Sequence, residues 1–146
     1  DASIFVIRPS LVVYPKDTED VKALVKWAAA KKAAGEEVSL APRAGGSCMT
    51  GGSLTESIMV DFSQHMNRFL GLDAAAKTAR VEPGMFYRDF EKETLKAGLL
   101  MPSYPASREL CAVGGMVGNN AGGEKTLSYG KTEDYVAELK IVLGDG

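Results

Sequence analysis

The stretch APRAGGSCMTGG, residues Ala41–Gly52, is the first of two glycine clusters in this chain, and the second, VGGMVGNNAGG, spans Val113–Gly123. Glycine admits positive φ angles and lets a ligand approach the backbone, so a glycine-rich loop can turn several N–H groups toward one anion. One such loop is common in proteins. Two of them, each beside an apolar run, indicate an extended ligand held from two sides, and a dinucleotide fits that description.

Size and composition restrict the class of protein without deciding the function. At 146 residues the chain is long enough to bury a core, and one domain is expected. It is 45% hydrophobic and 25% charged, and its net charge of −2 lacks the positive excess that a nucleic-acid-binding surface requires. No apolar run approaches the ~20 residues of a membrane-spanning helix. We therefore expect no nucleic-acid partner and no transmembrane segment.

The chain contains two cysteines, Cys48 and Cys111, and a single histidine, His65. Two thiols cannot build a disulfide framework, and with one histidine a metal site is not expected. Both cysteines are interpreted as packing residues. His65 follows a predicted strand and is interpreted as a surface or capping residue rather than as a catalytic base.

The two ends of the chain suggest that it is incomplete. It starts at Asp1 rather than at a methionine, and it stops at Gly144–Gly146, directly after the strand-like run Leu139–Leu143. The Gly-Asp-Gly sequence is typical of a hairpin turn, which would be followed by a second strand. We therefore expect a fragment of a larger protein.

Hydrophobic periodicity predicts a mixture of helices and strands. The first helix follows the candidate N-cap Asp17, ends at Gly35 and has Trp27 in its core face, and the second spans Phe86–Ala97. From Leu99 the chain is predicted as loop through the second glycine cluster. The fold class is predicted as α+β, because the helices and strands do not alternate strictly. The predicted strands are Leu11–Tyr14, Val38–Ala41, Ile58–Asp61, Phe69–Asp73, Thr78–Glu82 and Tyr135–Leu143.

Spacing excludes two common nucleotide-binding motifs. The Rossmann fingerprint requires Gly-x-Gly-x-x-Gly after a strand, and the one Gly-x-Gly in this sequence is Gly144–Gly146. A Walker A loop requires a lysine directly after its last glycine. Gly118 and Gly123 have the right separation, but Glu124 stands before Lys125.

A longer set of motifs resembles a known family. In order along the chain, these motifs are Pro42–Ser47, Pro105–Ser107, Val113–Gly115, Asn120–Gly123 and Tyr129–Gly130. In this combination the chain resembles the FAD-binding domain of the vanillyl-alcohol oxidase / para-cresol methylhydroxylase (PCMH) superfamily. The resemblance covers nearly the whole chain. It is strongest to the FAD-linked D-2-hydroxy-acid dehydrogenases, which include D-lactate dehydrogenase, the glycolate oxidase flavoprotein subunit and D-2-hydroxyglutarate dehydrogenase.

The resemblance implies a PCMH-type fold of two subdomains with FAD between them. The predicted boundaries are 1–98 for the first subdomain and 99–146 for the start of the second, which is truncated. The residues implied to wrap the pyrophosphate and ribityl region are Arg43, Ala44, Gly45, Gly46, Ser47, Thr50 and Gly51. Those implied to line the flavin and pyrophosphate from the second subdomain are Pro105, Ser107, Gly114, Gly115, Gly118, Asn120 and Gly122.

Departures from the family pattern concern how FAD is attached. Some members of the superfamily bind FAD covalently through a histidine in the first loop, where this chain has Ser47. Another group uses a cysteine in the second loop, but Cys111 lies too close to Gly114 to match it. We therefore predict non-covalent FAD. From the residues alone, Arg43 is either a phosphate ligand or the partner of a nearby carboxylate.

The function implied by the resemblance is that of an FAD-linked oxidoreductase, which oxidises a D-2-hydroxy acid to a 2-oxo acid by hydride transfer to flavin N5. Its partners would be a small-molecule hydroxy acid and an electron acceptor, both bound through other parts of the protein. The catalytic residues would lie outside this chain, so none is assigned here, and the chain alone would be inactive. A cytoplasmic location is expected, and peripheral membrane attachment is left open. Two alternatives remain: an FAD-binding module without turnover, and a sugar or alcohol oxidase of the same superfamily.

Overall fold

The computed structural model describes residues 1–146, which form short strands and helices. The strands are β1 Leu11–Val13, β2 Leu40–Arg43, β3 Ile58–Asp61, β4 Phe69–Asp73 and β5 Thr78–Val81. The α-helices are α1 Thr18–Ala33, α2 Tyr87–Leu95, α3 Val113–Gly118 and α4 Thr126–Tyr129. A 3-10 helix, Thr132–Tyr135, follows α4.

The first three strands form one parallel sheet in the order β1-β3-β2. The central strand β3 carries the buried run Ile58–Val60, and Leu11 and Leu40 both pair with Ile58 from its two sides. A run that is apolar at successive positions suits a strand that is covered on both faces. The predicted strands at β1 and β3 are confirmed.

Strand β2 begins and ends two positions later than the predicted strand Val38–Ala41. The reason is its pairing with β3, which starts at Leu40 and continues to Arg43 opposite Asp61. The sheet therefore holds Arg43 itself in a strand, and the first glycine cluster leaves the sheet directly after it.

Helix α1 begins as predicted, because the Asp17 carboxylate accepts hydrogen bonds from the backbone N–H groups of Glu19 and Asp20. The prediction that Trp27 belongs to the core is wrong. Its side chain is 44% exposed and lines an open apolar groove with Leu11 and Tyr14 of the β1 region. Ala28 is the one buried residue of α1, and the groove between α1 and the β1 region leaves the Trp27 side chain open to solvent.

Strands β4 and β5 form where the sequence predicts strands, and they pair with each other in antiparallel orientation. Helix α2 is shorter than the predicted Phe86–Ala97 at both ends. Phe86 keeps an extended backbone because it forms an antiparallel bridge with Ala112, so the helix can begin only at Tyr87. After Leu95 the chain turns away through Gly98, which has a φ of +68°.

The sequence predicts a loop for the second glycine cluster. This prediction is wrong for the first six residues of the cluster, which form α3. Glycine is a poor helix former, so tertiary contacts must supply the stability. The N–H groups of Val113 and Gly114 donate to the carbonyl oxygens of Met85 and Pro83, and the Met116 side chain is 2% exposed. These contacts hold α3 against the turn that precedes α2.

The predicted strand Tyr135–Leu143 is also wrong. Tyr135 ends the 3-10 helix, and the residues after it pair with no strand of the chain. A strand exists only where a neighbour supplies its hydrogen bonds. The turn at Gly144 does form, and it is closed by a bond of 2.9 Å from the Gly146 N–H to the Leu143 carbonyl oxygen.

The largest apolar cluster lies between α2 and the chain that follows it. Residues on both sides of the predicted subdomain boundary at position 98 contribute to this cluster, and that boundary stays a prediction. The buried members are Met85, Tyr87, Phe90, Tyr104, Cys111 and Met116. This core fixes the second glycine cluster relative to the first half of the chain.

Candidate cofactor-binding site

The first glycine cluster presents a row of unpaired backbone donors. The N–H groups of residues 44–48 make no hydrogen bond within the chain. Two features account for this: strand β2 ends at Arg43, and Gly46 turns the backbone with a φ of +63°. Residues 44–48 are half-buried, and a row of N–H groups that the chain leaves free is available to bind an anion.

Gly45 brings the two predicted loops into contact. A Cβ atom at this position would stand 2.5 Å from the Leu110 carbonyl oxygen and 2.9 Å from the Ala112 nitrogen, so no side chain can be accommodated there without movement. Ala112 is the residue directly before α3. The first cluster therefore rests on the backbone that leads into the second.

Arg43 lies beside the same row of donors. Its guanidinium occupies the space that a Cβ of Gly46 would need. Its Nε is buried without a hydrogen-bond partner, and the side chain forms no ion pair with a carboxylate of the chain. The sequence allows Arg43 to be either a phosphate ligand or the partner of a carboxylate. The structure contains no carboxylate that pairs with it. A buried cationic donor without a partner suits a phosphate.

In the second cluster, Gly115 and Gly118 face open space. A Cβ at either position would have no atom within 4 Å, and the N–H of Gly115 has no partner in the chain. Gly115 follows Ala112 by less than one helical turn. It is the member of the second cluster best placed to let a ligand reach the backbone beside the first.

Three other predicted residues have internal structural roles. Gly114 packs against Pro83, and its N–H is bonded to the Pro83 carbonyl oxygen. The side-chain oxygen of Asn120 accepts a hydrogen bond of 3.0 Å from the N–H of Glu133. Gly122 lies against the side chain of Thr126. Their predicted contact with a cofactor rests on the family resemblance alone.

Pro105 and Ser107 lie on the segment 101–112, which α2 holds in place. The Tyr87 hydroxyl donates to the Met101 carbonyl oxygen at 2.6 Å, and the Tyr87 N–H donates to the Cys111 carbonyl oxygen at 2.9 Å. Both predicted residues are half-buried. The segment ends at the backbone that touches Gly45, so it forms one wall of the same site.

Cys48 has an environment that the sequence does not reveal. Its Sγ lies 2.9 Å from the Thr50 Oγ1, and it also accepts a hydrogen bond from the Thr50 N–H at 3.4 Å. These hydrogen bonds, the Thr50 hydroxyl first, lower the pKa of the Cys48 thiol to about 7. Asn119 of the second cluster makes a smaller contribution in the same direction. Thr50, a predicted cofactor residue, is thus engaged with Cys48, and its neighbour Gly51 lies under the ring of Phe5.

The side chains of Cys111 and His65 are not assigned to the site. Cys111 is 4% exposed, and burial raises the pKa of its thiol to about 11, so its interpretation as a packing residue is confirmed. His65 is exposed, which confirms a surface position.

The residues present fit a pyrophosphate-bearing ligand such as FAD. The unpaired N–H groups of residues 44–48, the unpaired Arg43 Nε and the open Gly115 backbone offer donors on two segments of the chain, which meet where Gly45 contacts the backbone of Leu110 and Ala112. Charge-assisted hydrogen bonds to phosphate contribute roughly 1.5–3 kcal/mol each, so a few of them can hold a pyrophosphate. No carboxylate pairs with Arg43, so the positive charge of its guanidinium is available to an anion.

Comparison with known proteins agrees with this chemistry. The model of a family described as an FAD binding domain matches residues 9–146. D-2-hydroxyglutarate dehydrogenase of Pantoea ananatis is 34% identical over 146 residues, which is 100% of this chain and 14% of that protein. Glycolate oxidase subunit GlcD of Bacillus subtilis is 32% identical over 139 residues, or 94% of this chain and 28% of that protein. D-lactate dehydrogenase of Anaerostipes hadrus is 32% identical over 141 residues, or 95% of this chain and 28% of that protein.

A solved structure, alkyldihydroxyacetonephosphate synthase, superposes with a TM-score of 0.71 at 27% identity. The superposition covers 86% of this chain and 23% of the synthase. The chain therefore spans well under a third of the length of each of these proteins. None of its helices is both long and apolar enough to cross a membrane.

Proposed function

This chain belongs to the FAD-binding domain family, and on that basis we propose that it is the cofactor-binding part of an oxidoreductase that converts a D-2-hydroxy acid to a 2-oxo acid. The predicted α+β, PCMH-type FAD-binding fold and the predicted cofactor, FAD, are both confirmed. The chain is related to FAD-linked oxidoreductases, among them D-2-hydroxyglutarate dehydrogenase and glycolate oxidase. The class of substrate is the part of the proposal that goes beyond these findings.

The observation that best supports the proposed site is the contact of Gly45 with the backbone of Leu110 and Ala112. Because Ala112 directly precedes α3, this contact supports a site in which the unpaired N–H groups of the first cluster and the open backbone of Gly115 bind one ligand. In the proposed arrangement, the first cluster and Arg43 bind the pyrophosphate. Pro105 and Ser107 lie along the flavin and limit its contact with water.

When bound, FAD would supply the redox chemistry of the reaction, with flavin N5 as the acceptor of a hydride from the substrate α-carbon. The residues of this chain bind and orient the cofactor. The carboxylate clamp, the catalytic base and the electron acceptor are assigned to other parts of the protein, which in the relatives make up most of the length.

We also propose that FAD is held without a covalent bond. Ser47 stands where some members of the superfamily carry the linking histidine, and Cys111 is buried in the apolar core rather than on the open face. Denaturation of the purified flavoprotein followed by ultrafiltration tests this proposal. All the flavin should pass the filter, and flavin retained with the polypeptide would contradict it.

The substrate class is tested on the full-length protein with bound FAD and without oxygen. The flavin absorbance should be bleached by a 2-hydroxy acid such as D-2-hydroxyglutarate, D-lactate or the achiral glycolate. An alditol serves as the control for the sugar or alcohol oxidase alternative. Bleaching by the alditol and by none of the hydroxy acids would contradict the proposal, and bleaching by neither would leave the chain as a binding module.

A further inference from the structure

An ion pair between a half-exposed guanidinium and a buried carboxylate links helix α2 to the wall segment 101–112. The Arg108 guanidinium donates through Nη2 to the Glu91 carboxylate, whose side chain is 9% exposed. Glu91 lies one helical turn after Tyr87, on the face of α2 that points into the core. Arg108 is the residue directly after Ser107. No residue of this pair belongs to the site described above.

Two aromatic residues of the core, Tyr87 and Tyr104, lie beside the pair. The Arg108 guanidinium carbon lies 5.0 Å from the centroid of the Tyr104 ring, and that ring packs on Tyr87 with a centroid distance of 5.4 Å. Lys125 approaches the Tyr104 ring as well, at 5.9 Å. Tyr104 directly precedes Pro105. The three residues 105–107 are therefore flanked by an aromatic anchor, Tyr104, at one end and an ionic anchor, Arg108, at the other.

The position of the wall determines two features of the site at once. It carries Pro105 and Ser107, which are proposed to line the flavin. It also continues into Leu110 and Ala112, whose backbone atoms leave no room for a side chain at position 45. A shift of this segment would therefore move the flavin wall and the support of the first glycine cluster together.

Burying the Glu91 carboxylate is costly, since an apolar residue of equal volume commonly serves stability as well or better. What a guanidinium adds is direction, because its planar fork fixes the geometry of the carboxylate contact. We propose that Arg108 and Glu91 are positioning residues, which lock segment 101–112 at the distance from the first glycine cluster that bound FAD requires. This inference rests on the proposed placement of Pro105 and Ser107 along the flavin.

The test removes the pair without leaving a buried charge. In the double variant Glu91→Met/Arg108→Met, two flexible apolar side chains replace the two charged ones, so the fold should be retained. A matched control, Glu93→Met/Lys96→Met, removes an exposed ion pair of the same helix. Far-UV circular dichroism and thermal unfolding report the fold. Titration with FAD reports affinity, and the near-UV and visible spectrum reports the environment of the bound flavin.

The double variant should unfold near the wild-type temperature but bind FAD at least tenfold more weakly and with an altered flavin spectrum, whereas the control should match wild type in both. A second variant, Arg108→Lys, keeps the charge and the fold but lacks the planar fork, and it should also bind FAD more weakly. Wild-type affinity in folded double and lysine variants would overturn the positioning role while leaving the cofactor site intact. Failure of the wild-type protein itself to bind FAD would overturn the cofactor site and this inference together.

Discussion

Gly45 and Leu110 touch through backbone alone, since a Cβ on residue 45 would lie 2.5 Å from the Leu110 carbonyl oxygen. This contact joins two parts of the chain that are far apart in sequence. It explains why the glycine-rich stretch must have glycine at that position, although the φ of Gly45 is not positive. The glycine serves close approach rather than an unusual turn.

The first prediction concerns that contact. Gly45→Ala should lower the free energy of unfolding by ~1–3 kcal/mol, because the added methyl group forces the two segments apart. Chemical denaturation measures this change. Gly52→Ala is the matched control in the same cluster, since its Cβ would meet the Cys48 Sγ at an ordinary 3.6 Å. Equal stability of both variants would show that the Gly45 contact is looser than described.

The second prediction separates binding from folding. Gly115→Val should leave the fold intact because nothing lies within 4 Å of its Cβ position, yet it should weaken FAD binding by covering the open backbone. A loss of about tenfold or more is expected, since one charge-assisted hydrogen bond contributes roughly 1.5–3 kcal/mol. Flavin fluorescence titration measures the affinity. Gly144→Val, equally free of neighbours but in the C-terminal turn, should bind like wild type. If Gly115→Val also binds like wild type, Gly115 is not part of the site.

The third prediction concerns Cys48. Because the Thr50 hydroxyl stabilises its thiolate, the rate of alkylation by iodoacetamide should rise with pH around a midpoint near 7. Cys111 should remain unmodified in the folded protein, since it is buried and the pKa of its thiol is raised to about 11. Peptide mass spectrometry after timed alkylation resolves the two sites. Thr50→Val should move the Cys48 midpoint upward, and an unchanged midpoint would contradict the role of the hydroxyl.

The fourth prediction concerns pH and stability. Hydrogen bonds from Arg68 hold the pKa of the Glu82 carboxyl below its ordinary value of 4.5. A lowered pKa in the folded state stabilises the fold above the ordinary value, and this contribution is lost as the pH falls below about 4.5. Glu82→Gln should therefore cost ~1–2 kcal/mol at neutral pH and make the acid limb of the stability curve shallower. Urea denaturation at a series of pH values measures both effects. If the stability of Glu82→Gln falls as steeply with decreasing pH as that of wild type, other carboxylates cause the loss of stability in acid.

Elements whose signals are local could be predicted from the sequence. Asp17 caps α1 where its carboxylate meets the next two N–H groups, and the apolar run of β3 occupies the centre of the sheet. Elements that depend on distant partners could not. Helix α3 forms from glycine-rich sequence only because Met85 and Pro83 accept its first hydrogen bonds, and Leu139–Leu143 forms no strand because no neighbour supplies a ladder.

The same distinction applies to the site. The sequence identifies both glycine clusters, but it does not reveal which glycines are open to a ligand. Neighbouring atoms, mostly of the backbone, occupy the space where a Cβ of Gly45 or Gly114 would lie, whereas that space is empty at Gly115. This difference arises from tertiary packing. The acidity of Cys48 likewise depends on the placement of the Thr50 hydroxyl, which no local pattern encodes.

The most direct test of the central claim is a titration of the purified protein with FAD, followed by flavin absorbance and fluorescence, with FMN as the control. FMN shares the flavin ring but lacks the pyrophosphate that the first glycine cluster and Arg43 are proposed to bind. The account predicts saturable binding of FAD and at least tenfold weaker binding of FMN. Equal affinity for the two, or no binding of FAD by the folded protein, would contradict it.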